Sequence, residues 1–174
     1  MNCRWCQQSP LSIDGIRAPY LMQGPIREGI HSLKYRGVRA AAPELGRLLA
    51  QYLAGHAVPG DIIVPVPLHP RRLRERGYNQ SALLAREMAE LSGLAVQEEL
   101  LVKTRNSPPQ VGGTRDRRRE NVEGSFQCNS EVGGRAVILV DDVATTGSTL
   151  SACASALKAA GATSVWGLVL AREG

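Results

Sequence analysis

The sequence is poor in aromatic residues: of its 174 positions, only 4% are Phe, Trp or Tyr. So small a supply leaves little for the stacking platforms on which single-strand nucleic-acid binders lay successive bases. Long apolar runs are missing too, and none approaches the ~20 residues a helix needs to span a bilayer. No membrane partner is therefore expected. The opening MNCRWCQQSP lacks the basic-then-apolar order of a secretory leader, so a cytoplasmic location is expected.

Cysteine is also scarce, and its four copies make no disulfide framework. Cys3 and Cys6 form a CxxC at the N-terminus. A structural zinc takes four ligands, usually as two such pairs, and the second pair is missing. Cys3 and Cys6 are thus half of a zinc ribbon, and zinc is not expected to bind there. Cys128 and Cys153 stand singly and read as small buried residues. No GxxxxGK[ST] loop occurs anywhere, which excludes a P-loop triphosphatase. Internal repeats and low-complexity tracts are absent as well.

What is there has the make-up of a globular domain: 43% hydrophobic and 21% charged residues over a length that suits one domain. A chain of this length buries about 70% of the surface it exposes when unfolded, so its core needs no staple. The formal charge of +5 is unevenly placed. Residues 71 to 76 and 103 to 119 together carry +8, and the remainder is −3. Basicity confined to two segments suits a compact anionic ligand better than an extended phosphate backbone, so direct nucleic-acid binding is the less favoured reading.

Apolar periodicity predicts amphipathic helices over residues 25 to 37 and 42 to 55, and a third over 81 to 93 closed by Gly93. DIIVPVP (61 to 67) and AVILVDD (136 to 142) are continuous apolar, β-branched runs, as expected of strands buried on both faces of a parallel sheet. LHPRRLRERGYNQ between them reads as a loop, and a strand is expected between Val96 and Val102. SFQC reads as a short strand, Gly133-Gly134 as a turn, Ser148 to Ala160 as a helix and residues 164 to 171 as a last strand. Residues 104 to 124 have no hydrophobic period, and a loop that long inside a domain is often a functional lid. Strands alternating with helices give an α/β fold with a central, mostly parallel sheet flanked by helices. Its ligands belong at the C-terminal strand ends.

At one such end stands VILVDDVATTGST, residues 137 to 149. Two adjacent acids, Asp141 and Asp142, end a buried strand, where repulsion and lost hydration both count against them. Behind them, Ala144 to Thr149 turn into the next helix. Backbone N–H groups at a helix start favour an anion, and Thr145, Thr146, Ser148 and Thr149 add hydroxyls. Gly147 allows close approach of the backbone. The loop is therefore a phosphate cradle, while the acids accept from ligand hydroxyls or attract a cation. Hydroxyls beside a phosphate describe a ribose phosphate. If both acids only capped the helix, one acceptor would suffice and four hydroxyl residues would have no explanation.

VILVDDVATTGST resembles the phosphoribosyl diphosphate signature of type I phosphoribosyltransferases. PVPLHPRRLRERGYNQ (65 to 80), TRNSPPQ (104 to 110) and RRRENVEGSF (117 to 126) extend the likeness to the ComF-type phosphoribosyltransferases, a family associated with competence for DNA uptake that includes the GntX-like proteins. The likeness runs from Leu33-Lys34-Tyr35 onward. It implies the type I phosphoribosyltransferase fold over residues 37 to 174. Residues 1 to 36 would then be an N-terminal tail with a hood over the acceptor, keeping a partial zinc-ribbon remnant.

The resemblance further implies Mg²⁺ bound with phosphoribosyl diphosphate, and a small nitrogen acceptor that displaces pyrophosphate. Asp141 and Asp142 would hold the ribose hydroxyls near the developing positive charge, and Val143, Ala144, Thr145, Thr146, Gly147, Ser148 and Thr149 would grip the 5′-phosphate. Pro67, Leu68, His69, Arg71 and Arg72 match the pyrophosphate loop. Arg105, with Lys103, Arg115 and Arg118 or Arg119, would neutralise pyrophosphate from the lid. Trp5, Tyr20, Met22 and Tyr35 are the residues of the N-terminal part available to an acceptor. A homodimer is left open, as is a non-catalytic sugar-phosphate sensor or DNA-uptake accessory that keeps the same pocket.

Overall fold

The computed structural model describes residues 11–105 and 124–173. Cys3, Trp5, Cys6, Arg115, Arg118 and Arg119, and most of the expected lid, lie outside them. In chain order the elements are β1 (Gly15–Arg17), β2 (Tyr20–Leu21), α1 (Gly24–Tyr35), a 3₁₀ turn (Arg39–Ala41), α2 (Ala42–Gly55), β3 (Ile62–Pro65), α3 (Pro70–Arg76) and α4 (Gln80–Ser92). They continue as β4 (Ala95–Val96), β5 (Leu101–Lys103), β6 (Phe126–Cys128), β7 (Ala136–Ala144), α5 (Ser148–Ala159) and β8 (Ser164–Arg172). Every strand pair in the main sheet is parallel, in the order β1-β8-β7-β3-β4, with β2 also on the β8 edge. This is the α/β architecture with a central parallel sheet that the alternation of strands and helices predicts.

Side chains alternate along a strand, so a central strand feeds two cores at once. On β7, Val137 and Leu139 pack with Leu150, Cys153, Ala154 and Leu157 of α5. Ile138 and Val140 point the other way, into Ile30 and Leu33 of α1, Leu45 and Leu49 of α2, and Leu84 and Met88 of α4. Each such side chain, fully buried, contributes about 1.5–3 kcal/mol. The same alternation governs the acids that follow: Asp141 continues the α5 side and Asp142 the α1 side.

Three differences from the sequence reading have physical causes. Residues 70 to 76 form a helix rather than a loop: His69 Nδ1 accepts from the Arg71 N–H at 3.2 Å, Pro70 opens the first turn and Gly77 closes the last in a left-handed conformation. Its one large apolar side chain, Leu73, is 42% exposed, so no hydrophobic period announces it. The strand expected between Val96 and Val102 is two strands in two sheets, with β5 pairing antiparallel to β6 as a ribbon beside the main sheet. Finally, residues 15 to 21 add to the β8 edge of the main sheet, and Asp14 holds them there by accepting from the Val165 N–H at 2.6 Å and from Lys158 at 2.8 Å. No helix among the described residues is long and apolar enough to cross a membrane.

Candidate functional site

The C-terminal ends of β3 and β7 lie side by side, joined by the Val66 N–H donating to the Val140 carbonyl at 2.9 Å. Both loops singled out in the sequence therefore leave the sheet from neighbouring strand ends. β7 runs to Ala144, two residues past the predicted end, and the chain turns through residues 145 to 147 into α5. Gly147 makes that turn at φ +75°, a conformation costly for any residue with a Cβ. Thr146 Oγ1 accepts from the Ser148 N–H at 3.3 Å and shares a hydrogen bond with Ser148 Oγ at 2.8 Å, which stiffens the turn. Asp141, Val143, Ala144, Thr145, Thr146, Gly147, Ser148 and Thr149 line one hollow of about 40 Å³. That is little more than one water's share of liquid volume, ~30 Å³, so the hollow is too small to enclose an anion the size of phosphate.

The N-terminal segment backs this turn. Leu11 and Ile16 lie behind Gly147, with a side-chain carbon of each within 3.2 Å of where a Cβ would stand. The Ser12 N–H donates to Ser151 Oγ at 2.9 Å. Nothing in the composition of residues 11 to 17 pointed to this. The contact follows from β1 joining the β8 edge.

The two acids, adjacent in sequence, have separate surroundings. Asp141 Oδ1 accepts from Ser81 Oγ at 2.8 Å and from the Asp142 N–H at 2.9 Å. Burial and the neighbouring Asp142 push its carboxyl up to about 7, against the pull of Lys34 and Ser81. Asp142 faces α1, where Lys34 Nζ meets its Oδ1 at 3.0 Å. The Asp142 side chain is 3% exposed and that of Lys34 is 22% exposed. Asp142 Oδ2 is buried and has no hydrogen-bond partner among the described residues. Burial works against the Lys34 ammonium, but the two carboxylates outweigh it and hold its pKa above the usual lysine value. Nothing in the sequence marks Lys34 for this role, because a lysine in the last turn of a helix ordinarily reads as a favourable charge at the dipole's negative end.

Lys34 is anchored from both sides. The Tyr78 hydroxyl donates to the Leu33 carbonyl, and Arg76 lies over the Tyr35 ring at 5.8 Å. Tyr78 and Arg76 belong to the segment that follows the Pro67–Arg72 loop, so the C-terminal turn of α1 and that loop are seated together.

In the loop after β3, Pro67, Leu68 and His69 are half-buried. The two following arginines differ. Arg71 is exposed and its Nε pairs with Glu75 at 2.9 Å, one turn along α3. Arg72 is half-buried and its charge is felt by Lys103, whose pKa is lowered first by burial and then by Arg72, while Asp141 opposes the shift. Lys103, at the end of β5, lies 5.3 Å from the Phe126 ring on the paired strand. Arg105, two residues on, is exposed at the start of the expected lid. Cys153 is buried and Cys128 half-buried, and burial raises the pKa of both thiols. Among the described residues no group of three or more His, Cys, Asp or Glu side chains could hold a metal.

Comparison with known proteins identifies the family. The family model described as "Phosphoribosyl transferase domain" matches residues 78–174. The chain is 33% identical over 171 residues to "DNA utilization protein YhgH" of Escherichia coli strain K12, covering 95% of this chain and 75% of that one. It is 34% identical over 116 residues to "Competence protein F" of Haemophilus influenzae, covering 64% of this chain and 51% of that one. Among solved structures, the glutamine phosphoribosylpyrophosphate amidotransferase of B. subtilis superposes with a TM-score of 0.51 at 26% identity, over 76% of this chain and 26% of that one. With its signature loop on the expected strand end, and with relatives over nearly its whole length, the chain belongs to the ComF-type phosphoribosyltransferase family.

Proposed function

We propose that the chain binds phosphoribosyl diphosphate at the C-terminal end of β7 and transfers its phosphoribosyl group to a small nitrogen acceptor, releasing pyrophosphate. The observation that carries this reading is the single hollow shared by Asp141 and residues 143 to 149. In it a carboxylate stands beside a helix start, which suits sugar hydroxyls beside a phosphate.

In the reaction the nitrogen lone pair forms the new bond to the anomeric carbon. The bond from that carbon to the pyrophosphate oxygen breaks, its electron pair leaves with pyrophosphate, and the nitrogen sheds a proton to solvent. The N–H groups and hydroxyls of residues 144 to 149 hold the 5′-phosphate. Asp141 accepts from the ribose hydroxyls, and its charge favours the positive character that develops on the ring. Pro67, Leu68, His69 and Arg72 face the leaving group, with Arg71 and Arg105 able to swing in from the rim. Magnesium fits as a cation carried mainly by the ligand's own oxygens, because Asp142 already spends one oxygen on Lys34, and it would neutralise charge on the leaving pyrophosphate. Of the N-terminal part, Tyr20, Met22 and Tyr35 are the described residues available to the acceptor.

A second reading keeps the ligand and drops the turnover. The names of the relatives speak of DNA utilization and competence, which favours a sugar-phosphate sensor or DNA-uptake accessory. Calorimetric titration with phosphoribosyl diphosphate and Mg²⁺, followed by a pyrophosphate-release assay over a panel of bases, separates the two. Binding with release supports the transferase, binding without release on any base supports the sensor, and no binding rejects both.

A further inference from the structure

Asp141 lines the phosphate-loop hollow, but Asp142 does not, and its side chain is almost sealed. Its partner is Lys34, whose ammonium sits 3.0 Å from Asp142 Oδ1 while its side chain keeps 22% exposure. Of the two, Lys34 is the member with surface left for a ligand to touch. An ammonium has three donors and no acceptor, so what it recognises is an oxygen, preferably an anionic one. Its position narrows the choice. Leu33 and Tyr35, on either side of it, are fixed to Tyr78 and Arg76, and β3, which feeds the Pro67–Arg72 loop, pairs directly with β7. The end of α1 that carries Lys34 is thereby seated both on Asp142 and on the segment that follows the Pro67–Arg72 loop. A packing role alone would not need a buried carboxylate with one oxygen unmet, since a neutral side chain could seat the helix without that cost.

Resting on the phosphoribosyl diphosphate reading above, we infer that Asp142 reaches the ligand through Lys34: the ammonium contacts the pyrophosphate of the bound ligand, and Asp142 is the residue that positions it. The pair then divides its work by sign. Asp141 takes the sugar's hydroxyl donors, and the Lys34–Asp142 unit presents a donor to the sugar's anionic substituent. This arrangement discriminates between ligands, because ribose 5-phosphate has the hydroxyls and the 5′-phosphate and no pyrophosphate.

The test is calorimetric titration of the full chain, its Lys34→Met, Lys34→Arg and Asp142→Asn variants, and the Lys34→Met/Asp142→Asn double variant. The titrants are phosphoribosyl diphosphate with Mg²⁺ and, separately, ribose 5-phosphate. Loss of a charge-assisted hydrogen bond predicts that Lys34→Met weakens phosphoribosyl diphosphate binding about ten- to a hundredfold and ribose 5-phosphate binding by less than about threefold. Lys34→Arg retains most of the affinity. Asp142→Asn weakens the first ligand in the wild-type background and adds less than about twofold once Lys34 is gone. Should Lys34→Met fail to fold, Lys34→Gln, which keeps a donor toward Asp142 and removes the charge, makes the same comparison. The inference is overturned if both ligands weaken equally, if Asp142→Asn costs as much in the Lys34→Met background, or if Lys34→Met binds more tightly, which would make Lys34 a cover over a directly contacting Asp142. Wild-type chain that binds no phosphoribosyl diphosphate removes the functional reading as well, whereas wild-type binding with an unaffected Lys34→Met variant removes this inference alone.

Discussion

Ser81 Oγ donates to Asp141 Oδ1 at 2.8 Å, tying the first turn of α4 to the end of β7. Asn79, the cap of the same helix, accepts from the Ser81 N–H at 3.1 Å and donates through Nδ2 to the Val66 carbonyl at 3.0 Å. One short segment thus holds the end of β3 and the acid of β7 in a fixed relation. Ser81 also lowers the Asp141 pKa against burial and the neighbouring acid. Ser81→Ala is therefore expected to raise the pH at which Asp141 ionises and to weaken phosphoribosyl diphosphate binding several-fold at pH 7. The effect should shrink as pH rises toward 9. Calorimetry over that range checks it, and a loss of equal size at every pH would count against this role for Ser81.

Asp141 also links stability to pH, with a sign opposite to that of most acids. Its pKa is about 7 in the folded chain against an ordinary 3.8. Between those values the folded state keeps a proton that the unfolded state has lost, so raising the pH removes stability across this window and changes nothing further above it. Asp141→Asn lacks the group. In urea unfolding the variant should gain on the wild type between pH 4 and pH 7, with the difference level at higher pH. A difference that does not change with pH would contradict the raised carboxyl.

Gly147 occupies the left-handed region at φ +75°, and a Cβ there would stand 3.0 Å from Ile16 Cδ1 and 3.2 Å from Leu11 Cδ1. The left-handed conformation costs a residue with a Cβ about 1–2 kcal/mol, and both contacts must give a little as well. Gly147→Ala is expected to lower the urea midpoint by a corresponding amount and to weaken ribose 5-phosphate binding at least tenfold, because the turn presents its N–H groups through this residue. Binding that persists unchanged would place the phosphate elsewhere.

The parts of the fold legible in the sequence are those whose side chains share one long environment. Continuous apolar runs marked β3 and β7 because both of their faces are buried, and helical spacing marked α1, α2 and α4 because each packs one stripe on the sheet. The turn from β7 into α5 was legible as well, since Gly147 and the Thr and Ser residues around it stand together between an apolar strand and a helix. What escaped had no local period. β1 and β2 are three and two residues long and are specified by the β8 edge they join. α3 is set by His69, Pro70 and Gly77, with no buried face to give it a pattern. Lys34 meets Asp142 only because the fold brings the last turn of α1 to the end of β7, a relation that spacing along the chain does not encode.

The anchoring of Lys34 can be tested without any ligand. Tyr78 is buried and its hydroxyl donates to the Leu33 carbonyl in the last turn of α1. Tyr78→Phe keeps the ring and removes that donor, leaving a buried carbonyl unmet at a cost of about 1–3 kcal/mol. In a chain of this size the loss corresponds to a fall in Tm of about 2–12 °C. The turn should also loosen locally, so the amides of residues 33 to 38, where the Arg36 and Val38 N–H groups donate to the Ser32 carbonyl, should exchange with solvent faster than those of α2 in the same variant. Uniformly faster exchange throughout would mean that Tyr78 supports the core as a whole. Faster exchange confined to the end of α1 means that it holds the helix end that carries Lys34.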